Sequence, residues 1–243
     1  GRVTLQEAIG CRDDIMLNLI RWGVEPLKAF KIMEQVRKGK GLKAEDEELM
    51  RSHKVPDWYI ESCKKLSYMF PKAHAVAYVT MEVRIAYYKL YHREAFYAAH
   101  FTVKSEDFDA LLVQKGLAAI RAARAEITAK GNEATAKEKD METILEVVQE
   151  ALTRGVRFLP VDIHRSHPSR FQIVDGALLP PLVALQGVGG QAAWAIAAAR
   201  DEAEFTSVED LRVRARVSRT VIDALRQAGA LDGLPEGAQL TLF

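Results

Sequence analysis

A chain of 243 residues can bury a sizeable core and can form two domains, and its 49% hydrophobic and 28% charged residues are ordinary for a globular protein. A formal charge of +1 excludes an overall basic field, so any polyanion must be met by local patches. Two cysteines, Cys11 and Cys63, are too few for a disulfide framework or a cysteine-rich zinc site, which fits a reducing interior, and no apolar run approaches the roughly 18 residues of a membrane span.

The chain opens without Met, inside what reads as a helix cap, which suggests the C-terminal piece of something longer. Thr4-Leu5-Gln6-Glu7 has the form of a capping box with Gly10 as a stop. Asp13 and Asp14 suit the first turn of a second helix ending near Gly23. Adjacent helical residues point in different directions, so this pair reads as first-turn acids rather than metal ligands. Arg12 beside them, a cation next to a helix start, is the better functional candidate.

Pro26 opens a third helix with Phe30, Met33 and Val36 on one side, and Gly39-Lys40-Gly41 breaks it. From Lys28 to Lys43 six basic residues accompany one acid, Glu34, and Lys38 and Lys40 are candidates for an electrostatic pocket. Pro56 opens another helix, with Trp58 and Tyr59 at its start.

Phe70-Pro71-Lys72-Ala73-His74 then leads into a long helix to about Tyr91, apolar nearly all round and so expected at the centre of its domain. Lys72 and His74 stand at the positive end of that helix dipole, where two donor side chains on free amides would make a polyphosphate site. Tyr78, one turn after His74, could flank a base or sugar. The competing reading is a capping lysine and an interior histidine.

A mixed region follows, and Thr135-Ala136-Lys137-Glu138 is a second capping box. After it Met141, Ile144, Leu145, Val148 and Leu152 recur at helical spacing until Gly155. Val161-Asp162-Ile163 and Phe171-Gln172-Ile173-Val174 alternate like short strands of one small hairpin. His164 and His167 are ligand types without partners, so no metal is expected there. From Pro180 the chain is again helical, and a domain boundary is expected near residues 155–180.

Leu185-Gln186-Gly187-Val188-Gly189-Gly190-Gln191 has the form of a helix-hairpin-helix turn. Its glycines permit the turn and let a backbone approach, and the next helix aims its first amides outward. Arg216-Val217-Ser218-Arg219 reads as a second, degenerate hairpin without glycines. Arg212, Arg214, Arg216 and Arg219 fall in a stretch with no acid. Two such units in tandem would hold duplex DNA by its backbone, with little reading of sequence. Leu234-Pro235-Glu236-Gly237-Ala238 is turn-rich and unlikely to be rigid. The final Gln239-Leu240-Thr241-Leu242-Phe243 is either a frayed end or an end captured by another protein, with Leu and Phe as anchors and the Gln amide fixing register.

Taken together, Ile9-Gly10-Cys11-Arg12-Asp13-Asp14-Ile15-Met16, Ala29-Phe30-Lys31-Ile32-Met33-Glu34, Val36-Arg37-Lys38-Gly39-Lys40-Gly41, Phe70-Pro71-Lys72-Ala73-His74, Val161-Asp162-Ile163-His164-Arg165-Ser166, Ile173-Val174-Asp175-Gly176, Gly187-Val188-Gly189 and the terminal pentapeptide resemble the C-terminal part of the PolC-type DNA polymerase III alpha subunit. The resemblance covers essentially the whole chain. It implies a mainly α fold: a helical fingers domain over 1–155, a connecting segment with a short β-hairpin over 156–180, a tandem helix-hairpin-helix domain over 181–234, and a flexible tail over 235–243 that binds the sliding clamp.

It further implies an incoming dNTP on Arg12, Lys72, His74 and Tyr78, with Lys38 and Lys40 in the same pocket. Primer-template DNA is expected on Gly187, Gly189, Gly190, Gln191, Arg212, Arg214, Arg216, Ser218 and Arg219, and the clamp on Gln239, Leu240, Leu242 and Phe243. The family's metal-holding aspartates lie in a palm that nothing here matches, so Mg2+ is expected in the full polymerase and none on this chain, which alone should not polymerise. The remaining polymerase domains, or the other half of a split polymerase, are expected partners at a cytoplasmic replication fork, with no membrane. The alternative is a non-enzymatic, clamp-tethered DNA-binding accessory protein.

Overall fold

A computed structural model describes residues 3–237. Among these the chain is mainly α, with twelve α-helices and a three-stranded sheet, as the fold-class expectation holds. By packing it forms two compact units, Gly1–Ile85 and Ala86–Phe243.

In the first unit, α1 (Arg12–Arg21) is capped by Asp14, whose carboxylate accepts the Gly10 and Cys11 amides, both at 3.0 Å. α2 (Pro26–Arg37) begins at its proline, with Glu25 accepting from the Leu27 and Lys28 amides. α3 (Ala44–Ser52) and α4 (Asp57–Lys65) follow. Their shared core holds Ile15, Leu19, Ile32, Val36, Met50 and Ile60 around the buried Tyr59. Trp22 and Trp58 meet the Tyr59 ring edge-on at 4.7 and 5.4 Å, and its hydroxyl accepts from Asn18. Burial raises the Tyr59 phenol, and pushes the Cys63 thiol up to about 12.

Thr4 to Glu7 makes the hydrogen bonds of a capping box, the Thr4 amide and hydroxyl both donating to Glu7, but only a turn forms there. Leu5 is exposed, so the turn buries no apolar face against which a helix could propagate.

α5 (Lys72–Tyr91) corrects a second expectation. Apolar nearly all round, it was expected at the centre of its domain, yet it has no buried residue. Apolar composition reports that a helix requires cover, not which element supplies it. Its last turn is tied down: Lys89 reaches Glu150 at 2.8 Å, Tyr97 donates to Glu150, and Arg154 donates to the Lys89 carbonyl.

The second unit contains α6 (Arg93–Val103), α7 (Ala110–Gln114), α8 (Leu117–Lys130) and α9 (Ala136–Thr153). The last starts at the expected Thr135–Glu138 capping box and ends before Gly155, at φ +79°. The sheet order is β1 (Arg157–Phe158), β3 (Ala177–Leu179), β2 (Gln172–Val174), with β2 antiparallel and β1 parallel to β3. Asp175 and Gly176, at φ 50° and 70°, make the tight turn of the β2–β3 hairpin.

Val161–Ile163, expected as a strand, is instead a turn locked by its own side chains: Asp162 accepts the His164 and Arg165 amides while the Ser166 hydroxyl accepts the Asp162 amide. α10 (Gly190–Glu202), α11 (Val208–Ala215) and α12 (Arg219–Gln227) complete the unit. One core runs from Tyr97 and Phe101 through Phe171 and Leu178 to Leu211 and Leu225. Packing therefore does not separate the chain at residues 155–180, where composition suggested a boundary.

Candidate nucleotide and nucleic-acid sites

Residues far apart in sequence meet at the start of α5. The Arg12 amide donates to the Phe70 carbonyl at 3.1 Å, the Met69 amide to the Arg37 carbonyl at 3.2 Å, and the Lys72 amide to the Asp13 carboxylate at 2.6 Å. The strand-like entry to α5 is thus stitched to the N-terminus of α1 and the C-terminus of α2. The backbones of Arg12 and Lys72 are thereby drawn to one region of the first unit. One amide expected to be free for a phosphate is not: Asp13 occupies it, a partner 59 residues away that no local pattern reveals.

Glu34 organises the cations. Its carboxylate takes the Arg37 guanidinium through two nitrogens, at 2.5 and 2.9 Å, Lys38 at 3.1 Å and Arg12 at 3.7 Å. Three cations share one carboxylate, so positive charge remains toward solvent. The Arg37 hydrogen bonds, with Lys38 beside them, hold the Glu34 carboxyl down at about 2 against partial burial. Stability from this shift is complete above the ordinary carboxylate value near 4.5 and is lost as pH falls through about 2. A Glu34→Gln variant should therefore melt below wild type at pH 7, and the gap should close between pH 4.5 and 2. A gap of constant size across that range in thermal melts would refute it.

Lys72 is exposed and has no ion pair among the described residues. The His74 ring stacks on Phe70 at 4.9 Å and lies 4.4 Å from Tyr78, so the interior-histidine reading fails: His74 is exposed within a ladder of exposed rings. Lys40 is exposed beyond α2. Asp13, Glu34 and Phe70 are the residues that sequence reasoning missed. Only the Glu34 spacing to Arg37 and Lys38, three and four along a helix, was legible.

In the second unit, a groove of about 570 Å³ is lined by Gln191, Ala192 and Ala195 of α10 and by Arg216, Val217 and Ser218 of the second turn, while the first turn, Gly187 to Gly190, lines a separate pocket. Gly187 adopts φ +96°, and a Cβ there would meet the Ala224 methyl at 3.5 Å, so the first turn packs closely on α12. Gly189 is the N-cap of α10 and Gly190 its first residue, and Gln191 is exposed at that helix start.

The glycine-free second turn is made by Arg216 itself, left-handed at φ 52°, and Ser218 caps α12 by accepting the Val221 amide. The four arginines divide by partner. Arg214 braces the fold: it donates to the Ala199, Ala203 and Glu204 carbonyls, pairs with Asp210 at 3.2 Å and lies over the Phe205 ring. Arg212 is held by Glu209 through two bonds at 2.9 and 2.7 Å. Arg216 is exposed without an ion pair among the described residues, and Arg219 is 94% exposed, with Asp223 only within 3.9 Å. The acidic Glu106 lines the pocket beside Gly187 and Gly189.

Pro235 and Glu236, expected in a flexible tail, are anchored. Their carbonyls accept the Val208 and Glu209 amides of α11, and Glu236 pairs with Arg226. Gln239, Leu240, Leu242 and Phe243 lie outside the described residues.

Residues 155–239 match the family model of the helix-hairpin-helix motif. The whole chain is 55% identical to the PolC-type DNA polymerase III of Caldanaerobacter subterraneus subsp. tengcongensis and 54% identical to that of Clostridium perfringens. The Bacillus subtilis polymerase of the same name is 53% identical over 98% of the chain. In each case the chain spans 17% of the relative's length.

Proposed function

Because this chain is homologous over its whole length to one segment of PolC-type DNA polymerase III, we propose that it serves as the C-terminal part of a bacterial replicative polymerase, holding the incoming dNTP and the primer-template duplex while the rest of the enzyme supplies catalysis. The observation that carries the reading is the groove between the start of α10 and the second hairpin turn, within the segment that matches the helix-hairpin-helix motif. Outward amides at Gly189 to Gln191 suit phosphate oxygens of one strand, and Arg216, Ser218 and Arg219 suit the next phosphates. Arg214 acts in this reading as a brace and Arg212 as a paired surface charge, so the duplex contact falls mainly to Arg216 and Arg219.

In the first unit, Lys72, His74 and Arg12 face the triphosphate, with Lys38 and Lys40 adding field and Tyr78 beside the base. Phosphoryl transfer asks a protein mainly for positioning and charge neutralisation, which this cation set supplies. Mg2+ belongs to the palm of the whole polymerase. With the palm supplied by the rest of the enzyme in this reading, the chain alone is not expected to polymerise. The site of action in this reading is the cytoplasmic replication fork; separately, among the described residues no helix is long and apolar enough to cross a membrane.

The duplex reading is tested on the full chain by titrating unrelated DNA duplexes against salt. Affinity should fall with salt irrespective of sequence, and Arg216→Ala with Arg219→Ala should flatten the log–log slope by about 2. Salt-independent or sequence-dependent binding would exclude it. The terminal Gln239, Leu240, Leu242 and Phe243 complete the reading as a clamp-binding peptide. Leu242→Ala plus Phe243→Ala should weaken sliding-clamp binding by roughly 2 kcal/mol, and equal affinity of the two forms in a titration would remove that role.

A further inference from the structure

The residues of α5 are set out in a way that neither nucleotide nor duplex binding uses. Val76, Val79, Val83, Tyr87 and Leu90 recur at steps of three and four and make one stripe along the helix, all of them more than half exposed. Met81, Ile85 and Tyr88 continue from Tyr78 as a second stripe, also more than half exposed. At about 100° per residue the two stripes fall on opposite sides of the helix. The charged residues Glu82 and Lys89 lie along one flank between them and Arg84 along the other. A helix about 30 Å long with apolar stripes on two opposite sides is not a surface helix, which keeps one side polar. Exposed apolar surface this extensive marks an interaction site.

We propose that α5 is an embedded helix, clasped on both sides by a part of the same PolC-type polymerase that lies outside these 243 residues. This rests on the functional reading above. The occupant is a pair of apolar surfaces, one for each stripe, with polar acceptors at their rims for the hydroxyls of Tyr87 and Tyr88. Three observations select it. The relatives are far longer than this chain, which spans 17% of each, so cover is available within one polypeptide. Two stripes on opposite sides would join copies of this chain into an open row rather than a closed dimer. Glu82, Arg84 and Lys89 rule out lipid on all sides, and among the described residues no helix is long and apolar enough to cross a membrane.

The test mixes the full chain with the remainder of the Caldanaerobacter polymerase, produced without the matching segment. Association is measured by sedimentation, and α5 by amide hydrogen exchange. Exchange across α5 should slow by about a hundredfold in the mixture. Val79→Asp on one stripe and Ile85→Asp on the other should each weaken association at least tenfold. Neither side chain is buried, so thermal melts of both variants should match wild type and separate lost association from lost folding. Arg84→Glu, on a flank, should change association little.

Absent association by wild type, unchanged α5 exchange, sensitivity of one stripe only, or a dimer of this chain with α5 protected would each overturn the inference. Duplex titration of the same preparations keeps the two readings apart. A chain that binds DNA but not the remainder retains its proposed function and loses the embedded helix, and the reverse result does the opposite.

Discussion

Full-length polymerase carrying Lys72→Ala is expected to lose kcat by about a hundredfold, by analogy with other charge-stabilising donors, with a much smaller change in KM. Lys72 stands at the first residue of α5, exposed and unpaired among the described residues, where the helix dipole already favours an anion. An ammonium that grips substrate and transition state alike would change KM alone. One that opposes charge accumulating on the departing pyrophosphate lowers kcat when removed. In the proposed reading His74, held in the ladder of Phe70 and Tyr78 rings, acts as a hydrogen-bond donor to the nucleotide, so His74→Gln should cost less than His74→Ala. Single-turnover rates measure the effect directly, and unchanged rates for Lys72→Ala would end the assignment.

Gly39→Ala is expected to destabilise the first unit by about 3 kcal/mol, from left-handed backbone strain together with a forced shift of packed backbone. Gly39 adopts φ +69°, and a Cβ there would lie 2.3 Å from the Ser67 carbonyl oxygen and 3.1 Å from its carbon. Backbone cannot swing aside as a flexible side chain does, so Ser67 must move, and with it Met69 and Phe70, which hydrogen-bond to Arg37 and Arg12. Gly41 supplies the control. Its φ is +67°, but nothing lies within 4 Å of its Cβ position, so Gly41→Ala carries the conformational cost of roughly 1 kcal/mol alone. Denaturant midpoints at equal m-value compare the two. Equal losses would mean that the Ser67 approach is not tight.

Elements that carry their own punctuation were legible in the sequence. Pro26 and the glycines after Arg37 bounded α2, Thr135 and Gly155 bounded α9, and Asp175-Gly176 turned the hairpin. α3, α6 and α8 passed unannounced because the residues before them, Lys43, His92 and Gly116, make no side-chain cap. Gly187 was legible for the same reason as the end of α2, since a turn at positive φ demands a glycine, whereas Gly189, the N-cap of α10 at φ -74°, carries no such demand. Arg214 was not separable from its neighbours, since what distinguishes it is a set of carbonyls on Ala199, Ala203 and Glu204 that only the fold brings near. Asp13 on Lys72 and Arg12 beside Glu34 are likewise contacts between helices, invisible to local spacing.

The central claim is that these 243 residues do the work of the matching segment in a replicative polymerase. The most direct measurement substitutes this chain for that segment of the Caldanaerobacter relative, to which it is 55% identical, and follows primer extension on a primed template. The account predicts template-directed extension that needs all four dNTPs and falls with Lys72→Ala or with Arg216→Ala plus Arg219→Ala. A chimera that folds and binds duplex but extends no primer, or extends it equally well with those substitutions, would contradict it.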